Sequence, residues 1–191
     1  MRLAVIGSTN GTDLVPIVGA INSGELLASV EVIISNNKLS GILKKARAYG
    51  IEGHFICHKN KKRDVFDFEM SQILEDKKID LILLIGFMRI LSSEFVDRWF
   101  GKIVNVHPSL LPKYAGGMNS DVHKSVLDAG DKETGCTIHL VTKEVDGGPI
   151  LLQKSCPVFE NDSIDSLKER VQKLEGEAFI EIINNWSNNE Y

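Results

Sequence analysis

Three observations predict an α/β fold, with a mostly parallel sheet, helices on both faces and antiparallel β segments in the C-terminal half. Strand-like and helix-like segments alternate through residues 1–100, the pattern of βαβ units. The run Ile79–Gly86 is apolar on both faces, as in a strand at the middle of a parallel sheet. The candidate chemical motifs follow strands, at the edge where open α/β sheets bind ligands.

Arg2–Gly7 is a short apolar run and reads as a buried strand. Asp13–Asn22 places Leu14, Ile17, Val18 and Ile21 on one helical face, with Asp13 expected as N-cap and Pro16 tolerated in the first turn. Val30–Ser35 predicts a second strand, and Lys38–Tyr49 a helix closed by Gly50. A weaker strand is expected near His54–Cys57. A helix over Asp64–Asp76 follows, with Val65, Phe68 and Ile73 among its apolar positions. After the central strand come a short helix at Ser92–Trp99, capped by Ser92 or Ser93, and a strand at Lys102–Val106. Pro108 to Asn119 is a loop rich in Pro and Gly, and a helix near Ser120–Ala129 ends at Gly130. Thr134–Thr142 and Pro149–Phe159 read as β segments. A long helix from Ser163 to Trp186 carries the stripe Ile164, Leu167, Val171, Leu174, Ala178 and Ile182.

The 191 residues suit one domain, and 43% hydrophobic with 25% charged residues is ordinary for a globular chain. A net charge of -4 disfavours a nucleic-acid partner, and the cluster Lys59, Lys61, Lys62, Arg63 reads as a solvated turn. Three cysteines, Cys57, Cys136 and Cys156, without C-x-x-C spacing suit a reducing compartment. The longest apolar run, Leu81 to Ile85, is far short of the roughly 20 residues a membrane helix needs. A cytoplasmic protein with no membrane partner is expected. His54 and His58 flank Cys57, but no second cluster completes a tetrahedral site, so no metal is expected.

Four motifs could carry chemistry. Gly7-Ser8-Thr9-Asn10-Gly11-Thr12-Asp13 lies between a strand and a helix, where backbone N–H groups attract anions. It is neither a dinucleotide fingerprint nor a P-loop, so it fits a single phosphate monoester or an ordinary tight turn. Asn105-Val106-His107-Pro108 ends a strand, and Asn105 and His107 share one side of it. An amide beside an imidazole can hold an oxyanion and manage a proton. Asp146-Gly147-Gly148-Pro149 is by itself a good turn, and its aspartate matters only if it folds against the Asn105–His107 edge. Gly86-Phe87-Met88-Arg89-Ile90-Leu91 could wall a flat ring or belong to the core.

Taken together, NVHPSLLPKY at Asn105–Tyr114, GFMRIL at Gly86–Leu91 and VDGGPI at Val145–Ile150 resemble the folate-dependent formyltransferase superfamily, and within it the glycinamide ribonucleotide branch. The resemblance covers essentially the whole chain. It implies a Rossmann-like formyltransferase fold over 1–191, with a phosphate-binding half to about 100 and a catalytic, folate-binding half beyond. It implies formyl transfer from 10-formyltetrahydrofolate, a co-substrate, to the amine of glycinamide ribonucleotide in purine synthesis. No metal is required, and the chain would be a monomer or homodimer. The implied catalytic residues are Asn105, His107 and Asp146. Asn10, Gly11, Thr12 and Asp13 would hold the phosphate, and Val106, Pro108, Gln172 and Glu175 the rest of the ribonucleotide. Met88, Arg89, Ile90, Leu91, Thr142, Lys143 and Glu144 would line the folate pocket, with Arg63 near its glutamate tail.

On this resemblance, Asn105 and a protonated His107 donate to the oxyanion, and Asp146 keeps His107 charged by raising its pKa. Two stretches depart from the family pattern. The phosphate loop, often SGNGSN, here reads Ser8-Thr9-Asn10-Gly11-Thr12-Asp13, with Asp13 expected to turn inward as a cap. The loop after Tyr114, AGGMNSDVH, is longer than in common members. Two superfamily relatives compete. The initiator-tRNA formyltransferase carries an added C-terminal domain and the formyltetrahydrofolate hydrolase an added N-terminal one, so length favours the ribonucleotide enzyme. A non-catalytic nucleotide-binding module would need the fold and the phosphate turn without Asn105, His107 and Asp146.

Overall fold

In a computed structural model, which describes residues 1–116 and 121–188, the chain builds one seven-stranded sheet in the order β3-β2-β1-β4-β5-β6-β7. The elements are β1 (Arg2–Ile6), α1 (Leu14–Ser23), β2 (Ser29–Ser35), α2 (Gly41–Tyr49), β3 (Gly53–Phe55), α3 (Arg63–Asp76) and β4 (Leu81–Leu84). They continue through α4 (Ser93–Arg98), β5 (Ile103–His107), α5 (Val122–Ala129), β6 (Glu133–Leu140), β7 (Ile150–Pro157) and α6 (Ile164–Ser187). The first five strands pair in parallel; β6 and β7 run antiparallel, as the change of pattern after residue 100 predicts.

The strands sort their side chains by parity. Leu3, Val5, Leu81 and Leu83 face one core with α1, α2 and α6, while Ala4, Ile6, Ile82 and Leu84 face the other with α3 and α4. Burying each such Leu or Ile contributes about 1.5–3 kcal/mol. That two-sided burial is why β4 reads as a continuous apolar run.

Helix starts and stops follow local chemistry. Gly24, Gly50 and Gly130 end their helices in the left-handed region. The Ser92 side chain accepts from Phe95 N, and Ser163 forms a capping box with Ser166. The helix expected from Ser120 begins at Val122 with Asp121 as its cap, accepting from Lys124 N; Ser120 lies outside the described residues.

Two expectations are corrected. Asp13 turns inward but makes no cap hydrogen bond, because its own backbone is already helical (φ -70°, ψ -17°) and its carboxyl faces α6. In α3 the buried face is Phe66, Asp67, Met70, Ser71 and Leu74, whereas Val65 and Phe68 are exposed. Polar Asp67 and Ser71 are buried there because they have partners: Asp67 accepts from Ser92 N, and Ser71 from Trp99 Nε1.

The strand order reverses between β1 and β4, and a crevice opens beyond their C-terminal ends. Its floor is stitched by Gly7 N donating to Ile34 O and Ser8 N donating to Gly86 O, each at 3.0 Å. Helix α6 crosses close by: a Cβ on Gly176 would lie 2.5 Å from Pro16 Cγ of α1. That close approach sets Glu175 against Asp13.

Candidate active site

Off the crevice opens a cleft of about 420 Å³, within the range of small-molecule sites. The strand-end pair is built by β5 and β6. Antiparallel register sets Asn105 opposite His139 and His107 opposite Thr137, so the side chains of 105, 107 and 139 share one face. Thr137 Oγ1 accepts from Leu111 N and donates to Ser109 O, and Gln153 Nε2 donates to Leu111 O and Thr137 Oγ1. These bonds hold the Pro108–Lys113 segment, and with it the mouth of the site.

Asp146 arrives on the turn between β6 and β7 with φ 54°, a left-handed conformation that Asp tolerates better than most residues. Its Oδ2 accepts from Gly116 N at 2.8 Å and lies 3.4 Å from His107 Nδ1; its Oδ1 lies 3.6 Å from His139 Nε2. The neighbouring His139, the Gly116 N–H and His107 hold the Asp146 carboxyl below its ordinary pKa despite partial burial. It is a carboxylate at neutral pH.

His107 is 7% exposed. Its Nε2 lies 3.0 Å from the Tyr114 carbonyl, so an acceptor stands at each ring nitrogen. Only the imidazolium donates to both. Burial nevertheless outweighs the pull of Asp146 and Tyr114 and holds the ring below the ordinary histidine value. The expected raised pKa is therefore corrected: the resting ring is neutral at pH 7, because desolvation acts before any ligand charge is present.

His139 is the third ring. Its Nδ1 lies 2.9 Å from the Leu140 carbonyl, and its Nε2 shares a hydrogen bond with Asn105 Nδ2 at 3.1 Å, beside Asp146 Oδ1 at 3.6 Å. That bond orients the Asn105 amide.

The other end of the cleft is the turn before α1. Thr9, Asn10, Gly11, Thr12 and Asp13 all border it. Gly11 sits at φ 61°, where a Cβ would also collide with Ile42 at 2.4 Å. Ile42 N donates to Thr9 O and Lys45 Nζ to Asn10 O, so α2 fixes the turn.

Val106, Pro108, Gln172 and Glu175 line the same cleft, as do Met88, Arg89, Ile90, Leu91, Thr142, Lys143 and Glu144. Arg89 also stacks on Phe66, its guanidinium 4.8 Å from the ring centre. Arg63 does not line the cleft; it opens α3. Among the described residues, no group of three or more His, Cys, Asp and Glu side chains could hold a metal ion, and no helix is long and apolar enough to cross a membrane.

The formyl transferase description matches residues 1–183. The chain belongs to the formyl transferase family. Among family members, it is 38% identical over 187 residues to the phosphoribosylglycinamide formyltransferase of Escherichia coli, covering 97% of this chain and 86% of that protein. It is 42% identical over 179 residues to the trifunctional purine biosynthetic protein adenosine-3 of Bos taurus, where the match takes in 93% of this chain but spans only 17% of the longer protein. In structure it resembles glycinamide ribonucleotide transformylase 1 from Symbiobacterium toebii, with TM-score 0.93 and 32% identity over 99% of this chain and 88% of that one. The phosphoribosylglycinamide formyltransferase of Coxiella burnetii gives TM-score 0.92 at 35% identity, covering 99% and 88%.

Four polar cleft residues of this formyl transferase family member were not singled out from sequence: His139, His123, Asp121 and Lys168. His139 carried a signal, since two paired antiparallel strands in the right register set it beside Asn105. His123, Asp121 and Lys168 carried none, because only the packing of α5 beside α6 brings them to the cleft.

Proposed function

We propose that this chain transfers the formyl group of 10-formyltetrahydrofolate to the amine of glycinamide ribonucleotide, giving the formylated ribonucleotide and tetrahydrofolate. The observation that carries this reading is a single cleft with an amide–imidazole–carboxylate set at one end and an amide-rich turn at a helix N-terminus at the other. A phosphorylated acceptor that reaches from one end to the other fits both. The apolar side chains of Met88, Ile90 and Leu91 offer a face for a flat ring.

In this reading the acceptor amine attacks the formyl carbon, and the carbonyl electron pair moves to oxygen. Asn105 donates to that oxyanion through Nδ2. His107 starts neutral and takes up the proton that leaves the attacking amine, aided by the Asp146 carboxylate 3.4 Å from Nδ1. The growing negative charge on the intermediate favours the imidazolium, which then donates in turn. Collapse breaks the bond from carbon to N10 of the folate, and the proton taken from the amine ends on N10. Nothing in this sequence requires His107 to be charged before substrate binds, which suits its lowered pKa.

The test is spectrophotometric release of tetrahydrofolate with glycinamide ribonucleotide, its dephosphorylated riboside, initiator tRNA and water as acceptors. The ribonucleotide should react and the riboside far more slowly. Equal rates for the two would remove the phosphate turn from the reading, and a preference for tRNA or water would replace the substrate.

A further inference from the structure

The phosphate turn contains a feature that the formyl-transfer reading does not use. Asp13 and Glu175 are 5% and 8% exposed, and their carboxyls share a hydrogen bond. Two carboxyl groups can do this only if one of them carries a proton. Asp13 Oδ1 has no partner although it is buried, and both residues line the cleft. At the same end His123, 7% exposed, has an unpartnered Nδ1. Two buried side chains that border the cleft thus each carry an unpaired polar atom, and an unpaired buried acceptor or donor is costly until something pairs with it.

We propose that the Asp13–Glu175 pair is a proton-linked part of the anion site: a phosphoryl ligand binds with Asp13 protonated and donating, so binding takes up a proton as pH rises. This rests on the phosphorylated acceptor proposed above. A carboxylate at Oδ1 would repel a phosphate dianion, whereas the acid offers it a hydrogen bond.

The surroundings support this. Burial pushes Asp13 up to about 7, with Glu175 donating to it, and burial together with the Asp13 charge pushes Glu175 well above its ordinary value. The pair therefore keeps one proton at neutral pH and gains a second as pH falls through about 7. Lys168, about two α6 turns before Glu175, is the cation acting on Glu175 and on His123. From α5, His123 is held neutral by burial, and Asp121 caps that helix. From β6, Cys136, itself pushed to about 12, stays an uncharged thiol. From α2, the Lys45 ammonium reaches the same turn but is bonded to Asn10 O, and burial and Glu175 are what set the Asp13 carboxyl, so a proton is its means of accommodating an anion.

The experiment is calorimetric titration of the full chain with inorganic phosphate, in buffers of different ionisation enthalpy, for wild type and Asp13→Asn. The difference in proton uptake between them isolates Asp13 from the titration of phosphate itself. It should be near zero at pH 5.5 and approach one proton per phosphate by pH 8.5. In parallel, the wild-type phosphate Kd should rise on the order of tenfold more than the variant's between pH 7 and 8.5. If Asp13→Asn does not fold, Glu175→Gln serves: its amide donates to Asp13 as the Glu175 acid does, so proton uptake beyond that of phosphate itself should persist at pH 8.5, and its loss would overturn the proposal.

Equal proton uptake in wild type and variant overturns the proposal, as does phosphate that leaves the Gly11 and Thr12 amide resonances unmoved. The formylation assay is separate. Proton-linked phosphate binding without transfer to the ribonucleotide would sink the substrate reading and leave this one standing. Transfer with no Asp13-dependent proton would do the reverse.

Discussion

Replacing Asp146 by Asn keeps the side-chain shape and removes its charge. Asp146 Oδ2 lies 3.4 Å from His107 Nδ1, with both side chains largely buried. At that separation a carboxylate attracts an imidazolium by about 5 kcal/mol at an effective dielectric of about 20. The Asn dipole keeps part of this, so about 3–4 kcal/mol is lost wherever the ring is charged, equivalent to about 10²–10³ in rate. In the proposed mechanism the ring is charged in the transition state and neutral at rest. The loss should therefore fall on kcat, with KM for either substrate little changed. The assay is tetrahydrofolate release at saturating substrates, beside an NMR titration of the His107 ring in both proteins. Its pKa, already below the ordinary value, should fall further in the variant. An unmoved pKa with collapsed activity would mean that Asp146 acts on the amine proton directly. If neither changes, Asp146 is a turn residue and the mechanism is wrong.

Other consequences are as specific. Asn105→Ala should lower kcat by about 10²–10³, the usual loss for one oxyanion donor, and a near-normal kcat with a large rise in KM would assign Asn105 to binding instead. Gly148→Ala would set a Cβ 1.8 Å from Leu140 O, a backbone atom. The β6–β7 turn must then shift, so its urea midpoint should fall by an amount equivalent to about 1–3 kcal/mol; unchanged stability would show that the turn yields freely. Burial holds His107 and His123 below their ordinary value, so the unfolded chain binds their protons more tightly. Their contribution to stability is present above about pH 6.5 and lost as pH falls. Asp13 has the opposite sign: its raised pKa contributes stability at low pH that is lost as pH rises through about 7. Between pH 7 and 5 the urea midpoint of Asp13→Asn should thus fall more steeply than that of wild type, and parallel curves would show that Asp13 does not titrate there.

Much of this architecture was legible because strands and caps are local. The parity of β1 and β4, the glycines ending α1, α2 and α5, and Ser92 before α4 each express a short-range rule. Asn105 and His107 were legible for the same reason, being two apart on one strand. What stayed hidden depends on distant packing. Asp13 looks like an N-cap by type and position, yet α6 arrives within reach of its carboxyl and its backbone turns helical one residue early. On α3 the apolar Val65 and Phe68 stay exposed while Asp67 and Ser71 are buried, because the partners of those two lie in the distant Ser92–Trp99 segment. His107 was expected to be charged because Asp146 was its evident neighbour; burial, which outweighs that neighbour, has no signature in a stretch of sequence.

The two ends of the cleft answer one physical problem differently. At each, a buried ionisable group must meet a negative charge that exists only with substrate or in the transition state. At the chemical end, His107 rests neutral between two acceptors, so it can gain a proton when the oxyanion forms and Asp146 can then stabilise it. A ring charged at rest could not accept the amine proton. At the phosphate end, Asp13 has an open oxygen and a partner that already holds a proton, so it can gain one when the anion arrives. Both groups thus sit near the protonation boundary with their pKa values displaced toward the neutral form by burial. This makes one joint expectation. In kcat/KM, which reports the free enzyme and free substrates, the acid limb should follow His107 and the alkaline limb Asp13. Asp13→Asn should remove the alkaline limb alone, and loss of both limbs in that variant would show that the two ends do not titrate separately.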